Sequence, residues 1–341
     1  MNKKSLLRLS VAIVSIGLVT VALHFFRPAT AIDPDYQPGS ASTEVLFNIP
    51  IGASGSDIAR LLYEKKIIKS ISVFFRLAVA DTSSTTIAPG VHRLQTHIPA
   101  REALKELLDP RRIPDLIRIT EGAWTQEVLA QMEGRGFKKS ELLKALEKIV
   151  RPVGISGNEG ILFPAQYSFA VKTPALVALQ AMVDRFNSEA ATLGLLSTTG
   201  NFSPQELLTI ASLVQAEGDS KDFAKISRVV RNRITTGMPL QFDTTVQYIT
   251  RTRGQVFLST NATRIKSPYN TYLHYGLPPG PIANPGRAAM DAALHPVPGD
   301  WLYFITVKPG DTRFTKSHNQ FLLWKSEYER NLKSGAFGST P

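Results

Sequence analysis

The stretch SPQELLTIASLVQAEG, residues 203–218, contains the signals that place the central helix of this chain. Ser203 is a preferred helix-capping residue, Pro204 suits the first helical position, and Glu206 completes a capping box with the serine. Gly218 is a typical residue just past the end of a helix. The stretch therefore predicts a helix that begins after Ser203 and ends near Gly218.

One face of this predicted helix carries an acid at a position where an apolar residue is expected. Leu207, Ile210 and Val214 lie at helical spacing, and three residues further on the same stripe reaches Glu217. Burial and the negative end of the helix dipole both disfavour a charged carboxylate, so both raise its pKa. A raised pKa suits a general acid that works near neutral pH. Glu217 is therefore the candidate catalytic residue.

Other interpretations of the acids stay open on the residues alone. An acid in the last turn of a helix is more often a solvated group or the partner of an arginine, and Arg228 and Arg231 are available as partners. Glu121 and Glu159, each followed by glycine, are rival candidates for acid/base chemistry. Such positions are also typical of acids that cap or pin turns.

Composition excludes several kinds of chemistry. The chain of 341 residues has no cysteine, which excludes disulfides, thiolate metal sites and cysteine nucleophiles. Phosphate-binding glycine loops, serine nucleophile elbows and zinc-binding histidine pairs are missing from the sequence, and the six histidines are dispersed. We therefore expect neither a metal nor a cofactor.

The net charge of +11 indicates an acidic partner, such as anionic lipid or an acidic wall polymer. The basic residues are scattered and lack the aromatic interleaving of a nucleic-acid-binding protein. We therefore expect no nucleic acid among the partners.

The amino terminus predicts a membrane anchor. Basic residues at positions 3–8 precede a nearly uninterrupted apolar run, residues 9–26, whose length of about 27 Å as a helix matches the bilayer core. The positive charges place residues 1–8 in the cytoplasm as a short tail and everything after the run outside the cell membrane. The alternative is a cleaved signal peptide, because residues 29–31 have the small-x-small form that signal peptidase requires.

The remainder divides into a tether, two folded parts and a tail. Residues 27–43 are rich in Pro, Ser, Thr and Ala, which is typical of a flexible tether. Residues 44–112 show the pattern strand, helix, helix, strand, helix, which predicts a small α+β module that is either a spacer or a glycan-binding module. Residues 113–330 alternate helices with short strands and predict one mixed α/β domain. Residues 331–341 form a C-terminal tail.

A second segment with many functional side chains is SPYNTYLHYGLPPGPIANPG, residues 267–286. Its prolines and glycines fix much of the backbone, so the rings of Tyr269 and Tyr272 and the amide of Asn270 could be held ready for a ligand. Rigid aromatic and amide surfaces suit the recognition of sugars. The alternative is a proline-braced loop that only covers a core.

These motifs resemble the MltG/YceG-like family of endolytic murein transglycosylases. The family's catalytic glutamate is the second acid of an Ala-Ser-Ile-Val-Glu-x-Glu pattern, and this chain keeps it as Glu217 while Gln215 replaces the first acid. The small module resembles the family's LysM-like subdomain. The matching stretches are ITEG (119–122), NEGILFPAQY (158–167), LTIASLVQAEG (208–218), RNRITTGMPLQFDTTVQY (231–248), YNTYLHYGLPPGPIANPG (269–286) and AALHP (292–296).

The resemblance implies cleavage of the β-1,4 bond between N-acetylmuramic acid and N-acetylglucosamine in peptidoglycan. Glu217 would protonate the glycosidic oxygen and then take the proton of the muramyl C6 hydroxyl, which closes a 1,6-anhydro ring. No cofactor is needed. The residues that would line the cleft and hold the sugar are Gln241, Asp243, Tyr269, Asn270 and Tyr272.

The resemblance also implies a role in ending nascent glycan strands, with peptidoglycan synthases as partners. Two alternatives stay open. A hydrolytic muramidase would require a second carboxylate, for which Glu121, Glu159 and Asp243 are the candidates. A catalytically silent scaffold would bind glycan and tether wall synthases without cutting the strand.

Overall fold

The computed structural model describes residues 34–50, 52–114, 116–169, 172–198, 200–253 and 261–337. The predicted membrane helix at residues 9–26, its alternative as a cleaved signal and most of the predicted tether before residue 34 lie outside these ranges. Within the described ranges, no helix is both long and apolar enough to cross a membrane.

The amino-terminal elements follow the predicted order of strand, helix, helix, strand and helix. Strands β1 and β2 form a two-stranded sheet. Helix α1 begins after its cap Ser54, whose hydroxyl accepts the Asp57 N–H at 3.2 Å. The likeness to a LysM domain stays a prediction. The elements are β1 (Glu44–Ile49), α1 (Gly55–Glu64), α2 (Ile71–Ala80), β2 (Gly90–Gln95) and α3 (Ala100–Leu108).

The remaining elements are mainly helices. The sheets are two-stranded and antiparallel, β3 with β4 and β5 with β6, so this part is α+β rather than the alternating α/β domain that we predicted. The elements are β3 (Ile117–Arg118), α4 (Thr125–Glu133), α5 (Lys139–Lys148), β4 (Gln166–Tyr167), α6 (Ala175–Leu193), α7 (Pro204–Glu217), α8 (Phe223–Thr235), α9 (Asp243–Thr250), α10 (Arg287–Leu294), β5 (Tyr303–Lys308), β6 (Asp311–Thr315) and α11 (His318–Lys333).

The described chain divides into two compact units. The smaller comprises residues 34–47, 52–87 and 92–112, and the larger comprises residues 48–50, 88–91 and the described residues from 113 onward. The larger unit contains the motifs of the candidate site. Its last helix continues to Lys333, three residues beyond the predicted end of the domain at residue 330.

Helix α7 passes through the core of the larger unit. Its predicted cap is present, since Ser203 accepts the Glu206 N–H at 3.3 Å and Glu206 accepts the Ser203 N–H at 2.8 Å. Every residue from 207 to 214 is buried, so the predicted single apolar stripe underestimates how much of the helix is covered. Helices α8 and α10 pack against α7. Its position in the core fixes the place of its last residue, Glu217.

Replacing Ser203 with alanine removes the hydroxyl that accepts the Glu206 N–H, while the backbone N–H of residue 203 can still donate to the Glu206 carboxylate. We expect the free energy of unfolding of the larger unit to fall by about 1 kcal/mol, the usual effect of losing a helix cap. Denaturant titration followed by circular dichroism measures the change. Thr252→Ala, outside the helices, is the control, and an equal effect in both variants would contradict the role of the cap.

Candidate active site

Glu217 is the last residue of α7, so the helix ends before Gly218 as predicted, and Gly218 has an extended backbone. The Glu217 carboxyl is partly buried and lies at the first turn of α9. There the Thr244 hydroxyl donates a hydrogen bond to Glu217 Oε1, and the Thr244 backbone N–H donates another. The structure therefore places this carboxyl at the end of one helix and the beginning of another.

The pKa of Glu217 is raised from its ordinary value to about 7. The largest cause is burial, which disfavours the charged carboxylate, and the negative charge of Asp243 acts in the same direction. The Thr244 hydrogen bonds and the positive charge of Arg233 act in the opposite direction. A carboxyl with this pKa can both give and accept a proton near neutral pH.

Arg233 is the buried cation near this carboxyl. Its Nε donates to the Leu302 carbonyl at 2.7 Å, its Nη1 donates to the Leu240 carbonyl, and its guanidinium lies 5.7 Å from the ring centres of Phe242 and Tyr303. These contacts fix the guanidinium without using a carboxylate.

Arg228 and Arg231, considered in the sequence as partners for Glu217, bind other groups. Arg228 Nε donates to the Val297 carbonyl at 2.7 Å, and Arg231 donates to the Ala293 carbonyl. The interpretation of Glu217 as an acid neutralised by either arginine is therefore wrong.

Asp243 and Tyr272 form a pair beside Glu217. The Tyr272 hydroxyl donates a hydrogen bond to Asp243 Oδ1, and both residues are partly buried. Burial and the neighbouring Asp243 carboxylate raise the pKa of Tyr272, which keeps its proton. Gln241, two residues before Asp243, is exposed and has a left-handed backbone with φ of 51°. The structure thus brings Asp243 and Tyr272 together near the acid, and Gln241 lies in the segment just before α9.

Asn270 lies in the same loop but is fully buried. Its Nδ2 donates to the carbonyls of Thr263 and Ile265 at 3.0 and 2.8 Å, and its Oδ1 accepts the Tyr272 N–H at 3.0 Å. The amide nitrogen and oxygen are therefore both bonded to backbone groups of residues 263–272. This geometry supports a structural role in fixing Tyr272 rather than direct contact with a sugar.

Polar contacts to α7 and to the start of α9 help to hold the loop of residues 267–286 against the core. Thr271 Oγ1 accepts the Phe242 N–H at 3.0 Å, just before α9. Ser212 and Gln215, both on α7, accept the N–H groups of Ile282 and Gly286 at 3.0 and 2.9 Å. These bonds fix Tyr272 relative to Glu217. Helix α7 carries the acid and also binds the loop, and the start of α9, which contacts the acid through Thr244, binds the loop at Thr271.

The hydrogen bond of Gln215 explains why this chain can have glutamine where the family pattern has its first acid. Its side-chain oxygen serves as a hydrogen-bond acceptor for Gly286, a task that an amide performs as well as a carboxylate does. A Cβ at residue 286 would lie 1.9 Å from Glu121 Oε1, so a larger residue there would require the exposed Glu121 side chain to move. The departure at Gln215 thus leaves the arrangement around Glu217 in place.

The two rival acids occupy other positions. Glu159 accepts the Thr125 N–H at 2.8 Å and the Tyr248 hydroxyl at 3.2 Å, so it pins a turn. Glu121 is exposed beside Gly286. Tyr269 lies in a cleft beside Tyr248, with 5.2 Å between their ring centres. Tyr269 therefore lies with Glu159 and Tyr248 in a cleft that Glu217 does not line, rather than beside the acid as we predicted.

Sequence reasoning missed Thr244, Arg233 and Thr271. Threonine at the start of a helix is common and carries no functional signal, and Arg233 is one of several scattered basic residues. Their roles depend on contacts between segments far apart in sequence. Among the described residues, no group of His, Asp or Glu is arranged to hold a metal ion.

A partly buried carboxyl with a pKa near neutrality, held among polar and aromatic side chains, defines a class of general acid/base enzymes. The chain belongs to the YceG-like family, whose sequence profile matches residues 47–326.

Two relatives in this comparison are described as endolytic murein transglycosylases. The chain is 32% identical over 310 residues to the protein of Bacillus subtilis (strain 168), covering 84% of this chain and 86% of that protein. It is 30% identical over 298 residues to the protein of Streptococcus pneumoniae serotype 2, covering 76% of this chain and 54% of that protein.

A similar fold has been solved by crystallography. The structure of a YceG-like protein from Listeria monocytogenes, at 2.6 Å, matches with a TM-score of 0.55 and 28% sequence identity. The match covers 82% of this chain and 98% of that chain.

Replacing Glu217 with glutamine tests the raised pKa through stability. The folded state holds this proton more tightly than the unfolded chain, so the stabilisation from protonated Glu217 is complete below pH 4.5 and is lost as pH rises to about 7. Glutamine stays neutral at every pH. We expect Glu217→Gln to unfold at a higher temperature than the wild type at pH 8, with little difference at pH 4. An equal difference at both values would contradict the raised pKa.

Proposed function

We propose that this chain is an endolytic murein transglycosylase that cuts peptidoglycan glycan strands with Glu217 as its acid and base. The observation that carries the proposal is the environment of Glu217, which raises its pKa to about 7. The family membership and the names of the relatives in Bacillus and Streptococcus support the substrate and the type of reaction.

The first step is protonation of the leaving group. Glu217 donates its proton to the glycosidic oxygen between N-acetylmuramic acid and N-acetylglucosamine, and the bond from this oxygen to muramyl C1 breaks. Burial keeps Glu217 protonated in a substantial fraction of molecules at neutral pH. Arg233 attracts the negative charge that Glu217 acquires in this step.

The second step closes a ring within the product. Glu217, now a carboxylate, takes the proton of the muramyl C6 hydroxyl, whose oxygen forms a bond to C1. The products are a 1,6-anhydromuramyl end and a free hydroxyl on N-acetylglucosamine, and Glu217 has regained its proton. One carboxyl serves both steps, so the arrangement differs from the two-carboxylate scheme of most glycosidases.

The neighbouring residues hold the acid and the sugar. Thr244 orients the carboxyl through its hydroxyl. Asp243 raises the pKa of Glu217, and Tyr272 keeps Asp243 in place by donating to it. We assign sugar contacts to the exposed Gln241 and to the partly buried Asp243 and Tyr272, while Asn270 shapes their loop.

We also propose an extracytoplasmic location for this reaction. The apolar run at residues 9–26 and the basic residues before it support a single-pass anchor in the cell membrane with the catalytic unit outside. In this position the enzyme would end nascent glycan strands beside the synthases that make them. The net charge of +11 suits work near an anionic surface.

The direct test of the activity uses purified peptidoglycan. We expect the wild type to release muropeptides with 1,6-anhydromuramyl ends and Glu217→Gln to release at least about 1000-fold less, because the acid and the base are lost together. Mass spectrometry of the products distinguishes the outcomes. Reducing ends would instead show a hydrolytic muramidase, and wild-type protein that binds glycan without cutting it would indicate a scaffold.

Replacing Thr244 with valine tests the hydrogen bond to the acid. Its loss removes an interaction that favours the carboxylate, so the pKa of Glu217 rises and the decline of activity at alkaline pH shifts to higher pH. We also expect the maximal rate to fall about 10-fold, since the carboxyl is less well oriented. Thr244→Ser, which keeps the hydroxyl, should resemble the wild type in a pH profile. An unshifted profile in the valine variant would exclude this role.

A further inference from the structure

The cleft that contains Tyr248 and Tyr269 lies in the larger unit. It has a volume of about 650 Å³. We call it the side cleft. Neither Glu217, Asp243 nor Thr244 is among the residues that line it. The lining residues that matter for its chemistry are Leu129, Glu133, Lys139, Tyr248, Arg251 and Tyr269.

The side cleft begins close to the acid. Tyr248 lies four residues after Thr244 on α9, which places it about 6 Å further along that helix. Gln205, at the other end of α7 from Glu217, also lines the cleft, and it lies about 18 Å from the acid along the helix axis. A substituent on a sugar bound at Glu217 can therefore reach the side cleft.

The side cleft contains the guanidinium of Arg251, which is held between aromatic rings. Arg251 follows α9 in a left-handed conformation with φ of 56°, and its guanidinium lies 4.3 Å from the centre of the Tyr248 ring and 5.7 Å from that of Trp124. Among the residues that the structure describes, it forms no ion pair. Its neighbour Arg253 differs, since it pairs with Glu127 at 2.6 Å. Arg251 is thus a held cation with no carboxylate at ion-pair distance among the described residues, although its charge acts on the nearby Glu159 and Glu127 carboxyls.

The remaining walls of the cleft suit a peptide. Lys139 adds a second positive charge, and Glu133 offers a negative charge for an amino group. Glu159 is already bound by Thr125 and Tyr248. Leu129 provides an apolar surface for small side chains. A neutral sugar would not form an ion pair with the Arg251 guanidinium, whereas a peptide carboxylate would.

We propose that the side cleft binds the peptide branch of the glycan strand, with a peptide carboxylate on the Arg251 guanidinium. The inference rests on the proposed function, because a strand held at Glu217 brings its peptide to this place. The enzyme would then distinguish strands that carry peptides from bare glycan.

The test measures binding separately from catalysis. The full chain carrying Glu217→Gln is titrated calorimetrically with glycan strands that bear their peptides and with the same strands after an amidase has removed them. We expect tighter binding of the peptide-bearing strands. Adding Arg251→Gln should weaken their binding about 10-fold, the effect of losing about 1.4 kcal/mol, and change the binding of bare strands less than about twofold.

Two further variants serve as controls. Arg251→Lys keeps the positive charge and should retain most of the preference for peptide-bearing strands. Arg135→Gln removes a positive charge from a different cavity and should change neither affinity.

Three results would overturn the proposal. Equal weakening for both kinds of strand would show that the cleft holds sugars, and unchanged affinities would show that the peptide does not reach Arg251. Absence of binding by either strand would overturn the peptide site as well. Failure of the proposed function is recognised separately, by wild-type protein that binds strands but yields no anhydro ends.

Discussion

The arrangement of the site depends on one constraint, the position of the Glu217 carboxyl between the end of α7 and the start of α9. A carboxyl at the end of its own helix would normally stay in solvent and keep an ordinary pKa. Here burial raises that pKa, while the Thr244 hydrogen bonds and Arg233 limit the rise. The balance leaves the group near neutrality, where one residue can serve as acid and then as base.

The core of the larger unit fixes the positions of this carboxyl and of the loop of residues 267–286. Helix α7 is covered on all sides through residues 207–214, which fixes its end. The same helix holds the loop of residues 267–286 through Ser212 and Gln215. Asn284, fully buried, connects that loop to the Leu162 N–H and the Ala123 carbonyl, each at 2.8 Å. A rigid loop limits the motion of Tyr272 and so of its partner Asp243.

Local signals made the helices and the acid predictable. The capping box at Ser203 and the glycine at position 218 gave the bounds of α7, because helix ends depend on a few adjacent residues. Glu217 was recognisable as an acid on an apolar face. The resemblance to the YceG-like family supplied the chemistry, which spacing alone left open between an active acid and a surface ion pair.

The contacts that tune the acid were not predictable in this way. Thr244 is 27 residues from Glu217 in sequence, and a hydroxyl at the start of a helix carries no sign of its partner. Asn270 was expected to face a ligand, but its burial depends on how the loop folds back on Thr263 and Ile265. The lack of a direct ion pair at Arg251 among the described residues likewise depends on where the Glu159 and Glu127 carboxyls lie, which the sequence does not show.

The central claim, that Glu217 is a carboxyl poised between acid and base, is tested most directly by titrating this group. The measurement follows the side-chain carboxyl carbon of Glu217 by NMR in the carbon-13-labelled protein, with Glu217→Gln used to assign the signal. The account predicts a pKa of about 7. Titration close to 4.5, the ordinary value, would contradict the account, because the carboxyl would then be deprotonated at neutral pH and unable to act as the acid.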